Sequence, residues 1–414
     1  MIRSLFALLF TSFLLTAAPA LAATTPEQNE SVSEKAENRD PVTILISIDG
    51  FRPDYLDRGI TPNLKALAAT GIYGPMRPSF PSKTFPNHWT LVTGKTPDHH
   101  GIVGNTMEDA ARPGEIFKMA TKDPFWWSEA EPIWVTAEKQ GIRSATMFWP
   151  GSEVPIDGIR PADWWPFSQD LSNDRRINAV VDWMRRPADI RPKIITLYFD
   201  TVDMAGHYYG PAPSEKLHSA IAEVDSEIGR LQQQLDHLGQ PANFVIVSDH
   251  GMTETSPERI IHLDQIMPRD QYHLVEEGNY AGIEPLEGNA DAVRAAFLQP
   301  HEHMQCWARE NIPAEYAYGT NPRVPSILCL PEIGWVVYQD APEWMTGTGG
   351  GHGYDQRDPD MRAFFLASGP GIAAGGPLPI FDNVNVYSLV ARLAGITPEA
   401  SDGSIAPFEA QLVP

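Results

Sequence analysis

Short runs of apolar and mostly β-branched residues recur along the chain from residue 42 onward. Residues 42–48 (VTILISI) form one such run, and others occupy residues 194–199, 243–247 and 363–367. Strands that are buried on both faces of a parallel sheet have this nearly continuous apolar character. The pattern therefore predicts four buried strands of a mostly parallel sheet.

Helical signals lie between these runs. Residues 61–71 (TPNLKALAATG) contain a capping Thr, a Pro at the first helical position, apolar residues three and four apart and a terminal Gly. A longer apolar stripe in steps of three and four predicts a second helix packed on the sheet. Its members are Leu217, Ile221, Val224, Ile228, Leu231, Leu235 and Leu238. Strands followed by helices indicate an α/β fold, in which helices flank a central, mostly parallel sheet.

The alternation of strands and helices is interrupted between residues 255 and 344, a stretch rich in Pro and Gly. We interpret this stretch as an inserted cap on a main domain that spans residues 41–414. Residues 23–40 are polar and charged, which predicts a flexible N-terminal segment.

The first 22 residues have the pattern of a secretory signal peptide. A basic start is followed by an apolar run and by small residues up to Ala22, after which we expect cleavage. No other long apolar stretch follows, and no Cys lies near the cleavage site, so we expect no membrane anchor. The sequence thus predicts a periplasmic or secreted protein, and we expect a monomer or a weak oligomer.

The composition is that of a globular protein with an acidic surface. The formal net charge of −22 disfavours binding to a nucleic-acid backbone or to an anionic membrane through a general basic surface. An anionic substrate would therefore need local positive charge, which metal ions commonly supply. The two cysteines, Cys306 and Cys329, could form a disulfide in an oxidising compartment or remain two buried thiols.

Potential metal ligands follow three of the predicted strands, and a further one lies in a Gly-rich segment. Because ligands of open α/β sheets bind at the carboxyl ends of strands, we expect these side chains to converge. Each alone could be an ordinary helix cap or turn residue, but together their mixture of Asp and His is suited to zinc or a similar divalent ion. The residues are Asp49, Asp203, His207, Asp249, His250 and His352.

Thr84 lies where a Ser/Thr- and Pro-containing stretch leads into a short segment of helical character. At a helix N-terminus, free backbone N–H groups, the helix dipole and an adjacent cation would favour an alkoxide over a neutral hydroxyl. Thr84 is therefore a candidate nucleophile, and the alternative is that it only caps the helix.

Six blocks of sequence together resemble the nucleotide pyrophosphatase/phosphodiesterase family of the alkaline phosphatase superfamily. They follow the family's order and span most of the chain, which makes the match far more specific than any single block. The resemblance implies an alkaline phosphatase-like fold. The blocks are residues 47–52 (SIDGFR), 83–88 (KTFPNH), 101–105 (GIVGN), 203–207 (DMAGH), 248–252 (SDHGM) and 352–355 (HGYD).

The resemblance also implies a role for each matching position. Two zinc ions per chain would be bound, one by Asp49, Thr84, Asp249 and His250, and the other by Asp203, His207 and His352. Asn105 would donate a hydrogen bond to a phosphate oxygen, and Phe85 would cover or stack on the substrate. Within the aromatic stretch 164–167, Phe167 would stack on a base. Asp355 is a candidate hydrogen-bond partner for His352, unless it only caps a turn.

The implied activity is hydrolysis of phosphodiester or pyrophosphate bonds through a covalent Thr84 intermediate, with small nucleotide substrates that release a nucleoside 5′-monophosphate. Diesters of choline or lysophospholipids and phosphate monoesters are alternatives, although alkaline phosphatases proper use a serine. From another class, a non-catalytic exported zinc-binding protein would explain the ligands but not Thr84, Phe85 and Asn105. A sulfatase is excluded because the segment around Thr84 lacks the Cys-x-Pro-x-Arg pattern.

Overall fold

The structure is a computed structural model that describes residues 38–343 and 345–414. The predicted signal peptide and residues 23–37 lie outside this range. Strands are numbered in chain order as β1 Val42–Ile48, β2 Ile72–Arg77, β3 Met107–Glu108, β4 Ile116–Phe117, β5 Ser144–Met147, β6 Asp163–Trp165, β7 Ile194–Phe199, β8 Ala242–Val247, β9 Thr253–Thr255, β10 Ile260–His262, β11 Tyr272–Glu276, β12 Ala281–Pro285, β13 Met304–Ala308, β14 Ile327–Pro331, β15 Val336–Tyr338, β16 Gly349–Gly351, β17 Ala363–Ser368, β18 Gly376–Pro377 and β19 Phe381–Asp382.

The helices alternate with many of these strands. In chain order they are α1 Pro62–Thr70, α2 Thr84–Thr93, α3 Pro97–His100, α4 Ile133–Lys139, α5 Asn173–Met184, α6 Thr201–Tyr209, α7 Glu215–His237, α8 Ala290–Phe297 and α9 Val386–Ala394. None of the helices in the described part of the chain has the length and apolar content needed to cross a bilayer.

The main sheet has the strand order β18-β2-β17-β8-β1-β7-β5-β6, with β19 also paired to β2. The five strands from β8 to β6 are parallel, whereas β17 is antiparallel to both β8 and β2. The prediction of a mostly parallel central sheet is therefore confirmed. The antiparallel direction of β17 was not predictable from its apolar run, because burial on both faces produces the same run in either direction.

Helices cover both faces of this sheet. Alternate residues of β1 point to opposite sides, so Leu45 packs in one hydrophobic cluster while Ile44 and Ile46 pack in the other. The apolar residues of α1, α5 and α7 belong to the cluster with Ile44, and those of α2, α4 and α9 belong to the cluster with Leu45. The predicted stripe of α7 is buried from Leu217 to Leu235.

Between β8 and β17 the chain forms a smaller, antiparallel sheet in the order β11-β12-β14-β13. It has its own hydrophobic cluster, to which Val293 and Phe297 of α8 contribute. Cys306 and Cys329 are direct partners in the β13–β14 register and are joined in a disulfide. The sequence left open whether the two cysteines are free thiols or form a disulfide, and in the structure they are cross-linked within this sheet.

The start of α1 differs from the prediction in one respect. The helix does begin after Thr61, but the Thr61 hydroxyl donates to the carbonyl of Leu56 rather than accepting from the helix. Asp225, buried on α7, accepts instead from the backbone N–H groups of Asn63 and Leu64, at 3.2 and 2.8 Å. A carboxylate from a neighbouring helix therefore caps α1 and ties it to α7.

We expect Asp225→Ala to lower the free energy of unfolding by about 2 kcal/mol, because it removes a charge-assisted cap and leaves buried N–H groups without an acceptor. Asp236→Ala, on the exposed side of the same helix, is the matched control and should change it by less than about 0.5 kcal/mol. Chemical denaturation measures both. Equal effects of the two variants would contradict the capping role of Asp225.

Candidate functional site

The predicted ligands meet at one edge of the main sheet because β8, β1 and β7 are adjacent and parallel. Asp49 directly follows β1, and Asp249 lies two residues after the end of β8. Asp203 lies in the first turn of α6, the helix that follows β7. The carboxyl ends of the three strands thus deliver three carboxylates to one place.

Gly50 allows the turn after β1 to approach α6. Its φ of +66° is in the left-handed region, and a Cβ atom there would lie 3.1 Å from the Cα of Asp203. Its backbone N–H donates to Oδ1 of Asp249 at 3.2 Å. A side chain at this position would push the carboxylate-bearing segments apart.

Thr84 is the first residue of α2, as the sequence predicted. Its Oγ1 lies 3.4 Å from Nε2 of His250. The next N–H group of the helix, that of Phe85, donates to Oδ1 of Asn105 at 3.0 Å. The Asn105 side chain is thereby held against the start of α2.

Asp49, Asp249 and His250 form a first cluster around Thr84. Nε2 of His250 lies 3.3 Å from Oδ1 of Asp49 and 2.9 Å from Oδ2 of Asp249. These two carboxylate oxygens are buried without any hydrogen-bond partner among the described residues. Buried, unpaired carboxylate oxygens are costly, so their convergence fits a site that holds a cation.

Asp203, His207 and His352 form a second cluster. Nε2 of His207 lies 3.2 Å from Nε2 of His352 and 3.3 Å from Oδ2 of Asp203. Oδ1 of Asp203 is also buried, and no partner for it occurs in the described part of the chain. The ligand atoms of all three residues lie close enough together to hold a metal ion.

The two clusters adjoin. The rings of His250 and His352 stack with centroids 3.4 Å apart, and Asp49, Asp203 and His250 also form a group that could hold a metal ion. The structure thus brings the seven residues predicted as metal ligands into one site.

All three histidines are oriented by backbone carbonyls. Nδ1 of His207 donates to Gly350, that of His250 to Gly251 and that of His352 to Ser82, each at 2.9 Å. Each Nε2 therefore points into the site, where it can bind a metal ion once it carries no proton.

The predicted pairing of Asp355 with His352 is wrong. Asp355 accepts from the backbone N–H and the side chain of Arg357 and from the hydroxyl of Tyr316, so it caps a turn, which was the alternative. The Ser82 carbonyl takes its place as the partner of His352.

Charge crowding perturbs the buried carboxyl groups. Burial raises the pKa of Asp49 well above its ordinary value, and the charges of Asp249 and Asp203 raise it further. Burial, followed by the charge of Asp203, raises the pKa of Asp249 to about 8. Burial opposes protonation of His207, but Asp203 outweighs it and raises the pKa of His207 to about 9. The site therefore attracts positive charge strongly.

Sequence reasoning missed two residues that support these ligands. The hydroxyl of Tyr198 donates to Oδ2 of Asp49 at 2.7 Å, which orients that carboxylate. His88 uses both ring nitrogens, because Nδ1 donates to the Thr84 carbonyl and Nε2 accepts from Ser47. Burial lowers the pKa of His88 to about 3, so it is a neutral positioning residue although it lies near Asp49 and Asp249. Its place in the 83–88 block was the only signal.

A cavity of about 600 Å³ opens onto the clusters. Phe85, Asn105 and Phe167 line it, as predicted for substrate contacts, together with Trp127 and Trp149. The exposed ring of Phe167 rests edge-on against Tyr198, with centroids 6.0 Å apart. The cavity thus combines aromatic walls with a floor of Asp, His and Thr.

The chain resembles proteins of known type along most of its length. Residues 43–355 match the family model described as type I phosphodiesterase / nucleotide pyrophosphatase. The chain is 35% identical to the bis(5′-adenosyl)-triphosphatase of Xenopus laevis, over 88% of this chain and 80% of that protein, and 33% identical to the human protein of the same name, over 92% and 84%.

A solved structure of murine ectonucleotide pyrophosphatase / phosphodiesterase 5, an inactive threonine-to-alanine variant in complex with AMP, has the same fold. It superposes with a TM-score of 0.85 at 31% identity and covers 90% of this chain and all of that one.

We expect the metal-free protein to lose stability as the pH rises from about 6.5 to about 8. Folded Asp249, with a pKa of about 8, keeps a proton that the unfolded state, with a pKa near 3.8, has already lost. His207 acts in the same direction, since its folded pKa of about 9 is raised. His88, whose folded pKa is lowered to about 3, acts in the opposite direction, but its effect fades above about pH 7, where the unfolded histidine is mostly neutral as well. Calorimetric Tm values after chelation would measure the trend.

Asp249→Asn is the control for this pH dependence. It removes the proton-binding group at nearly constant volume, so Tm of the metal-free variant should depend less steeply on pH than Tm of the metal-free wild type. Identical slopes, or a wild-type Tm that rises across the window, would exclude this explanation.

Proposed function

We propose, since this chain belongs to the type I phosphodiesterase / nucleotide pyrophosphatase family of hydrolases, that Thr84 attacks the phosphorus of nucleotide diesters and pyrophosphates and that a nucleoside 5′-monophosphate is released. The observation that carries this proposal is the position of Thr84, at the start of a helix, beside converging imidazole nitrogens and beside carboxylate oxygens that have no hydrogen-bond partner among the described residues.

Two zinc ions are proposed as the cofactors. One would be held by Asp49, Thr84, Asp249 and His250, and the other by Asp203, His207 and His352. Mixed imidazole and carboxylate ligands suit zinc. When bound, such ions lower the pKa of a hydroxyl or water and offset the charge of phosphate oxygens.

In the first step, the Thr84 hydroxyl loses its proton to solvent and Oγ1 forms a bond to phosphorus. The bond from phosphorus to the leaving oxygen breaks, and the electron pair departs with that oxygen. In the second step, water attacks phosphorus and gives a proton to solvent, the bond from phosphorus to Thr84 Oγ1 breaks, Oγ1 takes a proton back to restore the hydroxyl, and the nucleoside monophosphate leaves.

Two donors are proposed to stabilise charge on the remaining phosphate oxygens. The side-chain nitrogen of Asn105 has no acceptor in the part of the chain that the structure describes, because only its Oδ1 is engaged. The backbone N–H of Thr84, in the first turn of α2, is the second. Preorganised donors of this kind contribute strongly to transition-state stabilisation.

Nucleotides are the proposed substrates because the aromatic cavity walls suit a base, with Phe85 and Phe167 as the stacking residues. Relatives named for cleavage of bis(5′-adenosyl)-triphosphate, and a relative that holds AMP, support this choice. Aromatic walls also accommodate quaternary ammonium groups, so a choline phosphodiester belongs in the substrate screen.

Export is part of the same proposal. Residues 1–22 would be removed as a signal peptide, and the Cys306–Cys329 disulfide is consistent with the oxidising environment of a periplasmic or secreted protein. N-terminal sequencing of the mature protein would test cleavage after Ala22.

We expect Thr84→Ala to reduce kcat on p-nitrophenyl thymidine 5′-monophosphate by at least about 10³-fold, because the covalent route needs the hydroxyl. Wild-type protein loaded with zinc should prefer this diester to p-nitrophenyl phosphate and lose activity on chelation. Activity is read as release of p-nitrophenolate.

Thr84→Ser is the matched control, since it keeps a hydroxyl at the same atom position and should retain more activity than Thr84→Ala. A wild-type preference for the monoester would replace the proposal by a phosphatase function. Absence of turnover of either ester or of a choline phosphodiester would favour a non-catalytic metal-binding protein.

We expect Asn105→Asp to lower kcat/KM on the diester by about 10²- to 10³-fold. The variant keeps the acceptor for the Phe85 N–H but replaces the proposed phosphate donor by a carboxylate oxygen. Asn105→Ala removes both contacts and separates the two contributions. Unchanged kcat/KM for Asn105→Asp would exclude the donor role.

A further inference from the structure

Lys83, which precedes Thr84, carries a buried ammonium group in the cavity wall. Its side chain lines the cavity, and the residue is only 9% exposed. Across the described ranges it makes one hydrogen bond, from Nζ to Oδ1 of Asn279, which is long at 3.3 Å. No carboxylate within the described residues lies within 4.0 Å of Nζ. A lysine ammonium has three N–H donors, so two of them remain available to a ligand in the cavity.

The position of this ammonium group is built into the surrounding structure. A Cβ atom on Gly353 would lie 2.6 Å from Cε of Lys83, so a side chain at that position would displace the end of the lysine side chain. Asn279 is held in turn, because its Nδ2 donates to the Tyr354 hydroxyl at 2.9 Å and that hydroxyl donates to the Trp335 carbonyl at 2.8 Å. Asn279 and Gly353 thus define where the ammonium group lies.

Lys83 lies on the side of the second cluster. Gly353 immediately follows His352, while Thr84 Oγ1 contacts His250 of the first cluster. Burial lowers the pKa of His352 most, the charges of His250 and His207 lower it further, and the charge of Lys83 acts in the same direction. In an in-line displacement the leaving oxygen departs on the side opposite the attacking oxygen. With Thr84 beside the first cluster as the nucleophile, we take the leaving oxygen to depart towards the second cluster, where Lys83 lies.

Charge complementarity indicates what Lys83 binds. The chain has a net charge of −22, and the other lysine of the cavity, Lys122, is paired with Glu153 at 2.7 Å. A pyrophosphate substrate has a leaving group with several negative charges. We propose that Lys83, positioned by Asn279, binds a phosphate of the leaving group and so favours pyrophosphate bonds over diesters with uncharged leaving-group substituents. The inference rests on the proposed function.

Two substrates with the same nucleoside isolate the leaving group. Thymidine 5′-triphosphate leaves pyrophosphate, and p-nitrophenyl thymidine 5′-monophosphate leaves p-nitrophenolate. In the zinc-loaded protein, Lys83→Met should lower kcat/KM on the triphosphate by about 10- to 100-fold, as expected for a lost charge-assisted hydrogen bond. On the nitrophenyl ester the loss should be less than about 3-fold. Equal losses on both substrates would overturn the inference.

Product inhibition gives a second readout. Lys83→Met should weaken inhibition by inorganic pyrophosphate but not by thymidine 5′-monophosphate, whereas a structural defect would alter both. Lys122→Met is the matched control at the same cavity, and it should change kcat/KM on the two substrates by the same factor. A selective loss on the triphosphate in Lys122→Met as well would overturn the assignment to Lys83.

Zinc content and Tm show whether Lys83→Met is folded. If it is not, Asn279→Asp tests the same idea, because an acceptor carboxylate should hold the ammonium away from the leaving phosphate and lower triphosphate turnover selectively. Equal losses in this variant would overturn the inference. Wild-type protein that cleaves neither substrate would overturn the proposed function and this inference together, whereas wild-type activity with equal variant losses overturns this inference alone.

Discussion

The site depends on the forced proximity of three buried carboxylates. Asp49, Asp203 and Asp249 each present an oxygen that is buried without a hydrogen-bond partner among the described residues. Burial and mutual repulsion both disfavour such a cluster of carboxylates, so the fold must hold these residues together. The main sheet enforces it, because three adjacent parallel strands end at the same edge and the well-packed helices on both faces prevent those ends from separating.

The remaining groups of the site are arranged around this negative charge. Imidazole rings face the three carboxylates, and Thr84 begins a helix beside the first cluster. Lys83 lies next to Gly353, on the side of the second cluster. The clustered carboxylates therefore lower the stability of the fold while they provide the chemistry of the site, as is common at active sites. The smaller sheet participates as well, because Asn279 lies between β11 and β12 and holds the side chain of Lys83.

Much of this could be predicted from the sequence, because strands, the start of α2 and the six blocks are local patterns. The contacts that orient the ligands could not. Tyr198 and Asp49 are 149 residues apart, and Ser82 and His352 are 270 residues apart. A backbone carbonyl acceptor, such as that of Ser82, leaves no trace in residue identity. The sequence suggested Asp355 as the partner of His352 because Asp355 is a carboxylate only three residues away. The actual acceptor is the main-chain carbonyl of Ser82, far away in the sequence.

The carbonyl partners of His207, His250 and His352 have a consequence for how the site fills. A main-chain carbonyl does not titrate, and it cannot rotate away without disturbing the fold. The three rings therefore lose their rotational freedom when the chain folds, not when a cation arrives. Loading and exchange of cations then require desolvation and deprotonation but little reordering of side chains, and protein stripped of cations retains a template ready to be refilled.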